Sequence, residues 1–275
     1  MTSNYNINEL NKIAKKIRQD IIKSLAEAGS GHLGGSLGLA DIFTALYFNL
    51  LKHNPKNPKW EERDRVILSI GHVAPVLYAS LANSGYFDVD ELSTLRKLGS
   101  RLQGHPGKDF GLPGIEISSG SLGQGLSVSV GLALSAKLDK TDFYTYCIMG
   151  DGELQEGSVW EAAMSASNYN LNNLIAIIDR NYCQIDGNTE NVMKLEPLNT
   201  KWSSFGWNVI CCNGNNIEQF IDAVNSAKEC KNMPSVIIAQ TKMGKGIKSI
   251  ESNYQWHGKV PSKEQVDAFL IELNS

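Results

Sequence analysis

The sequence predicts a three-layer α/β/α fold with a mainly parallel sheet. Runs of β-branched and aromatic residues alternate with stretches in which apolar residues recur at helical spacing. The two clearest runs, at 144–149 and 174–178, flank one helical stretch, as in a strand–helix–strand unit with parallel strands. Strands that alternate with helices are typical of a sheet covered by helices on both faces.

The first part of the chain is predicted to be largely helical. Apolar residues recur every three or four positions over 8–28, and the glycine-rich segment 29–35 ends this helix. A second helix is predicted over 39–51. A short buried strand at 66–70 follows, and Pro75 suits the first turn of the helix after it.

The middle of the chain contains a long loop. A small helix is predicted over 90–98, and then the segment 103–120 is rich in glycine and proline, with a length usually associated with function. Small residues over 123–138 predict a closely packed helix that leads into the strand at 144–149.

The last part of the chain completes the sheet. Strands are predicted at 207–212 and 235–240, with a helix near 216–230 between them. Because no repeat, low-complexity tract or linker interrupts the pattern, residues 1–275 are predicted to form a single domain.

Composition excludes several classes of protein. The chain has 275 residues, is 42% hydrophobic and 20% charged, and carries a net charge of −3, so there is no electrostatic case for nucleic-acid or membrane partners. Neither a secretory signal nor an apolar run long enough to span a membrane is present. The five cysteines lack metal-ligand spacing, and their odd number favours a reduced, cytoplasmic protein.

Polar residues follow the two clearest strands. Gly150-Asp151-Gly152 comes directly after the strand at 144–149, and Asn181 lies just beyond the strand at 174–178. Because parallel strands release their carboxyl ends at one edge of a sheet, Asp151 and Asn181 are expected to be neighbours there. A carboxylate and an amide carbonyl suit a hard divalent cation, and the glycines allow close approach of a phosphate. The spacing therefore predicts a site for magnesium and a phosphorylated cofactor.

Four of the five histidines adjoin a glycine, a pairing that bends the backbone while the imidazole points into a crevice. These four are His32, His72, His105 and His257. His72 follows the strand at 66–70 and so shares the ligand-binding edge of the sheet. His53, the exception, is predicted to lie in a surface loop.

The segment 29–34 satisfies the G-x-G-x-x-G pattern of dinucleotide-binding proteins. That pattern binds pyrophosphate only where a strand precedes it, and here a helix does. A nicotinamide cofactor is therefore not expected.

The segment GDGELQEGSVWEA, with Asn181 at its spacing, resembles the cofactor motif of thiamine diphosphate enzymes, and of transketolases in particular. The resemblance extends over about residues 10 to 260. It implies that Mg²⁺, with Ca²⁺ or Mn²⁺ as substitutes, is ligated by the side chains of Asp151 and Asn181 and by the backbone carbonyl of Cys183, where the family more often has an aliphatic residue.

The histidine contexts resemble the same family. SGHLG at 30–34 is similar to its SGHPG element, with Leu33 in place of proline, and SIGH, GHP and WHG match three further elements. By this resemblance His72 and His257 contact the cofactor diphosphate. His32 and His105 line the sugar channel and handle protons of the substrate hydroxyls. His257 is expected to serve catalysis as well.

Other residues are carried over in the same way. Ser119-Gly-Ser-Leu-Gly-Gln-Gly125 is similar to the family's TGPLGQG, with Ser121 in place of proline. The full set implied to bind the cofactor comprises His72, Gly120, Leu122, Gly150, Gly152, Glu153, Asn181, Ile185 and His257.

Two glutamates have alternative interpretations. Ser158-Val-Trp-Glu161 is an S-x-x-E capping box, which would give Glu161 a structural role at a helix start. The resemblance also places Glu156 and Glu161 in a network that connects paired active sites, and Glu156 is counted with the catalytic residues on that basis. Trp160 and the neighbouring alanines are interpreted as helix packing.

The resemblance implies one subunit of a transketolase, an enzyme that moves a two-carbon ketol unit from a ketose phosphate to an aldose phosphate. In the family, a second domain supplies the glutamate that activates the cofactor and most residues that bind the sugar phosphate. A partner chain with this pyrimidine-binding domain and the C-terminal domain is expected, in a heterotetramer. The alternatives are the equivalent subunit of a 2-oxo acid dehydrogenase or decarboxylase, and a non-catalytic thiamine diphosphate-binding regulator.

Overall fold

Five parallel strands form the centre of the fold in a computed structural model that describes residues 5–274. The strands are β1 (Arg65–Leu68), β2 (Thr145–Gly150), β3 (Leu174–Arg180), β6 (Asn208–Asn213) and β7 (Ser235–Gln240). Their order across the sheet is β1-β2-β3-β7-β6. A separate antiparallel hairpin of β4 (Cys183–Gln184) and β5 (Gly187–Asn188) follows β3 directly.

Ten α-helices occur among residues 5–274, joined by short 3-10 segments and one π-helical turn. The helices are α1 (Ile7–Ala28), α2 (Leu33–Gly38), α3 (Ala40–Ala45), α4 (Ala74–Asn83), α5 (Gly125–Asp139), α6 (Gly157–Asn168), α7 (Thr189–Val192), α8 (Leu198–Ser204), α9 (Ile217–Glu229) and α10 (Lys263–Asn274). None of the described helices is long and apolar enough to cross a membrane.

The sheet is buried on both faces. On β2, Ile148 packs with α1, α3, α4 and α9, whereas its neighbour Met149 packs with α5, α6 and α8. Ile177 and Ile178 on β3 divide in the same way, as the two-residue period of a strand requires. Two apolar cores therefore lie on opposite faces of one sheet, which confirms the three-layer α/β/α prediction.

Local sequence explains the start and end of α1. The Asn6 side chain accepts a hydrogen bond from the backbone of Glu9, and the Glu9 carboxylate accepts one from the backbone of Asn6. Gly29 ends the helix at φ +66°, a conformation that glycine adopts without strain. The chain can therefore turn sharply just before His32.

Several predicted elements differ in detail. The predicted turn at 29–35 already contains the start of α2, because Gly34 and Gly38 pack closely against the segment at Met243. The helix predicted over 39–51 is α3 followed by a π-helical turn at Leu46–Leu50. The small helix predicted over 90–98 is a 3-10 helix that ends at Thr94.

His53 lies in a loop, as predicted, but its side chain is not a free surface group. Its ring is half-buried and stacks on Tyr86, with ring centroids 5.7 Å apart. Its Nδ1 lies 3.0 Å from the Tyr86 hydroxyl and its Nε2 lies 2.8 Å from the Tyr47 carbonyl oxygen. His53 thus fixes the segment after the π-helical turn, far from the predicted site.

Candidate active site

A cavity of about 400 Å³ opens at the carboxyl ends of β1, β2 and β3. Of the predicted site residues, all except Glu156 line it. The lining residues that the sequence predicted are His32, His72, His105, Gly120, Leu122, Gly150, Asp151, Gly152, Glu153, Asn181, Cys183, Ile185 and His257. Segments that are distant in sequence meet here because parallel strands end at the same edge.

Asp151 and Asn181 directly follow two adjacent strands, β2 and β3, in which Gly150 pairs with Asp179. The Asp151 side chain is only 1% exposed. Its Oδ1 accepts a hydrogen bond from the Gly152 backbone at 2.8 Å, and its Oδ2 accepts one from the Tyr182 backbone at 2.7 Å. The carboxylate is therefore fixed in position by the two turns that follow β2 and β3.

Arg180 is a buried residue of the site that the sequence did not single out. Its guanidinium donates to Asp151 Oδ2 at 3.1 Å, to Glu190 at 2.8 Å and to Glu196 at 2.9 Å, and it lies over the Tyr182 ring. Burial nevertheless raises the pKa of Asp151 to about 6, although Arg180 opposes that shift. Because burial opposes the ionised form of Asp151, a further positive charge beside the carboxylate would stabilise it.

Asp179 also lines the cavity and was not predicted. It is 2% exposed, accepts a hydrogen bond from Asn181 Nδ2 at 2.8 Å, and accepts another from the Thr241 hydroxyl. Burial raises its pKa to about 7, and nearby Asp151 contributes to that rise. The sequence signal that could have identified Asp179 is its position directly after the apolar run 174–178 of β3. Asp179 orients the amide of Asn181.

The oxygen atoms at this edge suit a hard divalent cation. Asn181 Oδ1 accepts one hydrogen bond, from the Cys183 backbone at 2.8 Å, and retains a lone pair, as does Asp151 Oδ1. Among residues 5–274, no group of three or more His, Cys, Asp or Glu side chains is arranged to hold a metal ion. A cation here would therefore need the mixed set of carboxylate, amide and backbone oxygens that the sequence predicted, completed by ligand oxygens.

Three histidines form a cluster on one wall of the cavity. The ring centroids of His32 and His72 are 4.9 Å apart, those of His72 and His257 are 5.1 Å apart, and those of His32 and His257 are 5.5 Å apart. Burial and mutual proximity lower the pKa of His32 to about 4 and that of His72 to about 3, and burial lowers the pKa of His257. All three are neutral at pH 7, with one N–H donor and one acceptor each.

Two of these rings carry buried atoms without a partner. Nδ1 of His32 and Nδ1 of His257 are buried and form no hydrogen bond among residues 5–274. Buried polar atoms in native proteins nearly always have partners, so a polar ligand is expected beside them. Together with Asp151 and Asn181, this arrangement fits a cofactor with an anionic group and a bound cation.

Glu153 holds two glycine-rich loops together. Its carboxylate accepts hydrogen bonds from the Gly123 backbone at 2.8 Å, from the Gly150 backbone at 3.2 Å, and from the Ser69 hydroxyl. It was predicted to bind the cofactor, and its position beside the cavity leaves that prediction open. These hydrogen bonds give Glu153 a structural role as well, because they fix the loop at 119–125 against β2.

The loop 103–120 brings His105 to the cavity. A Cβ atom at Gly120 would lie 3.3 Å from the His105 ring, so the ring packs directly on that glycine. Leu122 and Ile185 face the same space, and Ile185 is 66% exposed. An apolar side chain this exposed at a cavity mouth is available to cover a bound ligand.

The capping box predicted at 158–161 is not formed. Helix α6 begins two residues earlier, with Glu156 rather than Ser158 at its N-cap, because a 3-10 helix at Gly152–Gln155 leads straight into it. The Ser158 hydroxyl donates instead to the Gly123 carbonyl at 3.0 Å. Glu156 and Glu161 are both exposed, and Glu156 lies outside the cavity. Their expected role between paired sites stays a prediction.

The fold and this site define an α/β protein with a pocket for a phosphorylated cofactor at the carboxyl edge of its sheet. The chain belongs to the transketolase family. The family model described as transketolase, thiamine diphosphate binding domain, matches residues 10–273. The resemblance drawn from the sequence motifs is thereby confirmed.

Curated relatives include separate subunits and longer single chains. The chain is 42% identical over 261 residues to an apulose-4-phosphate transketolase subunit of Phocaeicola vulgatus, covering 95% of this chain and 92% of that protein. It is 42% identical over 265 residues to the 6-deoxy-6-sulfo-D-fructose transketolase subunit SqwG of a Clostridium species, covering 96% of each. Human transketolase is 37% identical over 267 residues, which are 97% of this chain but 42% of that one.

Solved structures agree with this assignment. Transketolase from Campylobacter jejuni superposes with a TM-score of 0.91 at 37% identity, over 98% of this chain and 43% of that chain. This chain therefore matches nearly the full length of the relatives that are separate subunits and less than half the length of the single-chain transketolases.

Proposed function

We propose that this chain is the N-terminal subunit of a transketolase, which transfers a two-carbon ketol unit from a ketose phosphate to an aldose phosphate. The observation that carries the proposal is the meeting of Asp151, Asn181 and four histidines in one cavity of a transketolase-family protein. Two relatives that match over nearly their whole length are named for an anionic sugar. We infer that residues 1–275 form one diphosphate-binding domain.

Thiamine diphosphate, when bound, supplies a thiazolium that stabilises a carbanion. Asp151, Asn181 and the Cys183 carbonyl would hold Mg²⁺, with Ca²⁺ or Mn²⁺ as substitutes. His72 and His257 would donate hydrogen bonds to the diphosphate, because a neutral imidazole has one N–H available. Gly150 and Gly152 allow this group to approach the backbone.

His32 and His105 are proposed to bind substrate hydroxyls and to move their protons. Burial lowers the pKa of both imidazoles, and the Arg96 charge lowers it further, so each is neutral at pH 7. A neutral imidazole can both accept and donate a proton at a sugar hydroxyl. A channel with this many imidazoles favours a polyhydroxylated substrate over a simple 2-oxo acid.

A partner chain is proposed to carry the pyrimidine-binding domain and the C-terminal domain, in a heterotetramer. Support comes from full-length relatives whose names describe them as transketolase subunits. A cofactor held between two chains requires a large interface, and Glu156 would lie near it. A reducing, cytoplasmic setting is proposed from the five free cysteines.

The test is reconstitution. The chain is purified alone and with the product of its genomic neighbour, and ketol transfer from D-xylulose 5-phosphate is assayed with D-ribose 5-phosphate as acceptor. Activity is expected only from the complex, with the mass of a heterotetramer by light scattering. In the complex, His105→Gln should lower turnover and leave cofactor affinity unchanged. Full activity of the isolated chain would exclude the partner, and turnover of 2-oxo acids without ketoses would exclude a transketolase.

A further inference from the structure

Arg180 is attached to a rigid part of the protein. It is the last residue of β3, a strand in which every residue is buried, and its carbonyl accepts a hydrogen bond from the Thr241 backbone at 3.2 Å. The Arg180 side chain is itself only 1% exposed. Its guanidinium nevertheless bonds to groups that lie outside the five-stranded sheet.

The guanidinium connects the turn after β2 to the segment after β3. Nη1 donates to Asp151 Oδ2 at 3.1 Å and to the Thr189 hydroxyl at 2.8 Å. Nη2 donates to Glu190 at 2.8 Å and to Glu196 at 2.9 Å. The planar fork of an arginine holds such acceptors in fixed directions, whereas a lysine presents only a point charge. One buried side chain therefore ties residues 189–196 to Asp151.

The segment 182–196, which contains the β4–β5 hairpin and α7, has little buried surface of its own. All of its residues are described by the structure, and only Cys183, Thr189 and Leu195 among them are buried. Segments of this kind open easily unless fixed contacts close them. Arg180 bonds to the far part of the segment and also stacks on the Tyr182 ring at its start, with Cζ 3.9 Å from the ring centroid. The same side chain thus fixes both ends of the segment.

Arg180 leaves room for a cation at Asp151. It bonds to Oδ2, the oxygen that also accepts from the Tyr182 backbone, whereas Oδ1 accepts only from the Gly152 backbone and retains a lone pair. One guanidinium faces three carboxylates here, so this group of four side chains has a net charge of −2. A divalent cation would balance that charge.

We propose that Arg180 is a positioning residue that assembles the metal site before a cation binds. By holding the segment 182–196 against Asp151, it would fix Asp151, Asn181 and the Cys183 carbonyl relative to one another. Groups that orient metal ligands in this way strengthen metal binding without touching the metal. This inference rests on the proposed function, because it concerns the cation of the same site.

Hydrogen exchange of the full chain, without metal or cofactor, tests whether Arg180 closes the segment. Arg180→Met removes the donors, and Thr189→Val removes one acceptor without changing any charge. Amides of 182–196 should exchange about tenfold or more faster in Arg180→Met and roughly threefold or more faster in Thr189→Val, because contacts that close the segment are lost. Amides of β2 and β3 should keep their wild-type rates, as the check that each variant is folded.

Thr44→Val is the matched control. Thr44 and Thr189 are both 0% exposed, but the Thr44 hydroxyl donates to the Ala40 carbonyl of its own helix at 2.7 Å. Exchange of 182–196 should not change in Thr44→Val. Unchanged exchange of the segment in Thr189→Val, which decides the matter if Arg180→Met does not fold, or an equal increase in Thr44→Val would overturn the inference.

Calorimetric titration of the complex of both chains with Mg²⁺ and thiamine diphosphate tests the effect on the site. Affinity should fall about tenfold to a hundredfold in Arg180→Met, should fall less in Thr189→Val, and should be unchanged in Thr44→Val. Arg180→Lys keeps the charge but not the planar fork, so it should restore only part of the loss. Full restoration by lysine, or unchanged or tighter binding in Arg180→Met, would overturn the positioning role.

Titration with Mg²⁺ alone separates this inference from the proposed function. A wild-type complex that binds Mg²⁺ but no thiamine diphosphate would reject the proposed function, and weaker Mg²⁺ binding in Arg180→Met would still support the role of Arg180. Ketol transfer by the wild type, with wild-type cofactor affinity in Arg180→Met, would support the transketolase and reject the role of Arg180.

Discussion

Replacing Asp151 by Asn should separate metal binding from folding. The two side chains have the same shape, but the amide is uncharged and has only one acceptor oxygen. Three donors point at the Asp151 carboxylate, from the backbones of Gly152 and Tyr182 and from Arg180. We expect Asp151→Asn to weaken Mg²⁺-dependent cofactor binding by at least about 100-fold, or roughly 3 kcal/mol, because the buried Mg²⁺ would lose the negative charge of the Asp151 carboxylate.

The effect on folding should be small because two contributions oppose each other. Burial raises the Asp151 pKa from 3.8 to about 6, so its negative charge costs the metal-free fold about 3 kcal/mol at pH 7. Asn removes that cost, but it leaves one donor unpaired, at about 1–3 kcal/mol. The free energy of unfolding at pH 7 should therefore change by less than about 2 kcal/mol.

The same shift gives a pH signature. The stability that comes from a raised carboxyl pKa is present below 3.8 and is lost as the pH rises through about 6. Relative to wild type, Asp151→Asn should gain about 2 kcal/mol between pH 4.5 and pH 7. Urea denaturation of the chain in EDTA measures this difference, and calorimetric titration of the complex with thiamine diphosphate and Mg²⁺ measures binding.

Asp142→Asn is the control. Asp142 is an exposed carboxylate in the turn before β2, at the opposite edge of the sheet, and its loss should change neither quantity. Unchanged cofactor affinity in Asp151→Asn would refute the metal assignment. A loss of several kcal/mol of stability at pH 7 would refute the reasoning from burial.

Two further predictions concern stability. Burial lowers the pKa of His72 to about 3, so the stability that comes from its neutral ring is present above pH 6.5 and is lost as the pH falls. In urea denaturation this group should cost the wild type about 2 kcal/mol of stability between pH 7 and pH 5, and His72→Gln should lack that loss. The same loss of stability in the variant would contradict the prediction. Gly71→Ala would place a Cβ atom 2.7 Å from Ser119 Oγ and 2.9 Å from the Gly120 nitrogen, and should lower the free energy of unfolding by about 1–3 kcal/mol. Gly131→Ala in α5 is the control, because its Cβ atom would have nothing within 4 Å and should not lower the free energy of unfolding.

Most of the fold could be predicted because its signals are local. The runs at 144–149 and 174–178 are nearly all apolar, as strands buried on both faces must be, and Gly29 ends α1 where the helical period stops. Where packing against distant segments decided the conformation, prediction was weaker. The start of α2 at Leu33 and the N-cap of α6 at Glu156 are examples.

The sequence by itself predicted most of the residues that line the cavity. Asp151, Asn181 and His72 follow strands, and strand direction predicts that these three gather at one edge, whereas His32, His105 and His257 lie in turns that reach the same cavity by other routes. For the residues that follow strands, spacing along the chain was sufficient, because neighbouring parallel strands end side by side.

Only the tertiary structure decided which other groups complete the site. In the sequence, Asp179 and Arg180 look like the polar end of a strand. No feature of the neighbouring sequence indicates that Asp179 is buried against Asn181 and Arg180 against Asp151. Arg96 likewise lies in a segment without a distinctive sequence signal, and its guanidinium packs against Gly104, beside His105, only in the folded chain. Burial and charge proximity between distant segments are properties of the folded chain, so the environment that tunes these side chains could not be seen before it folded.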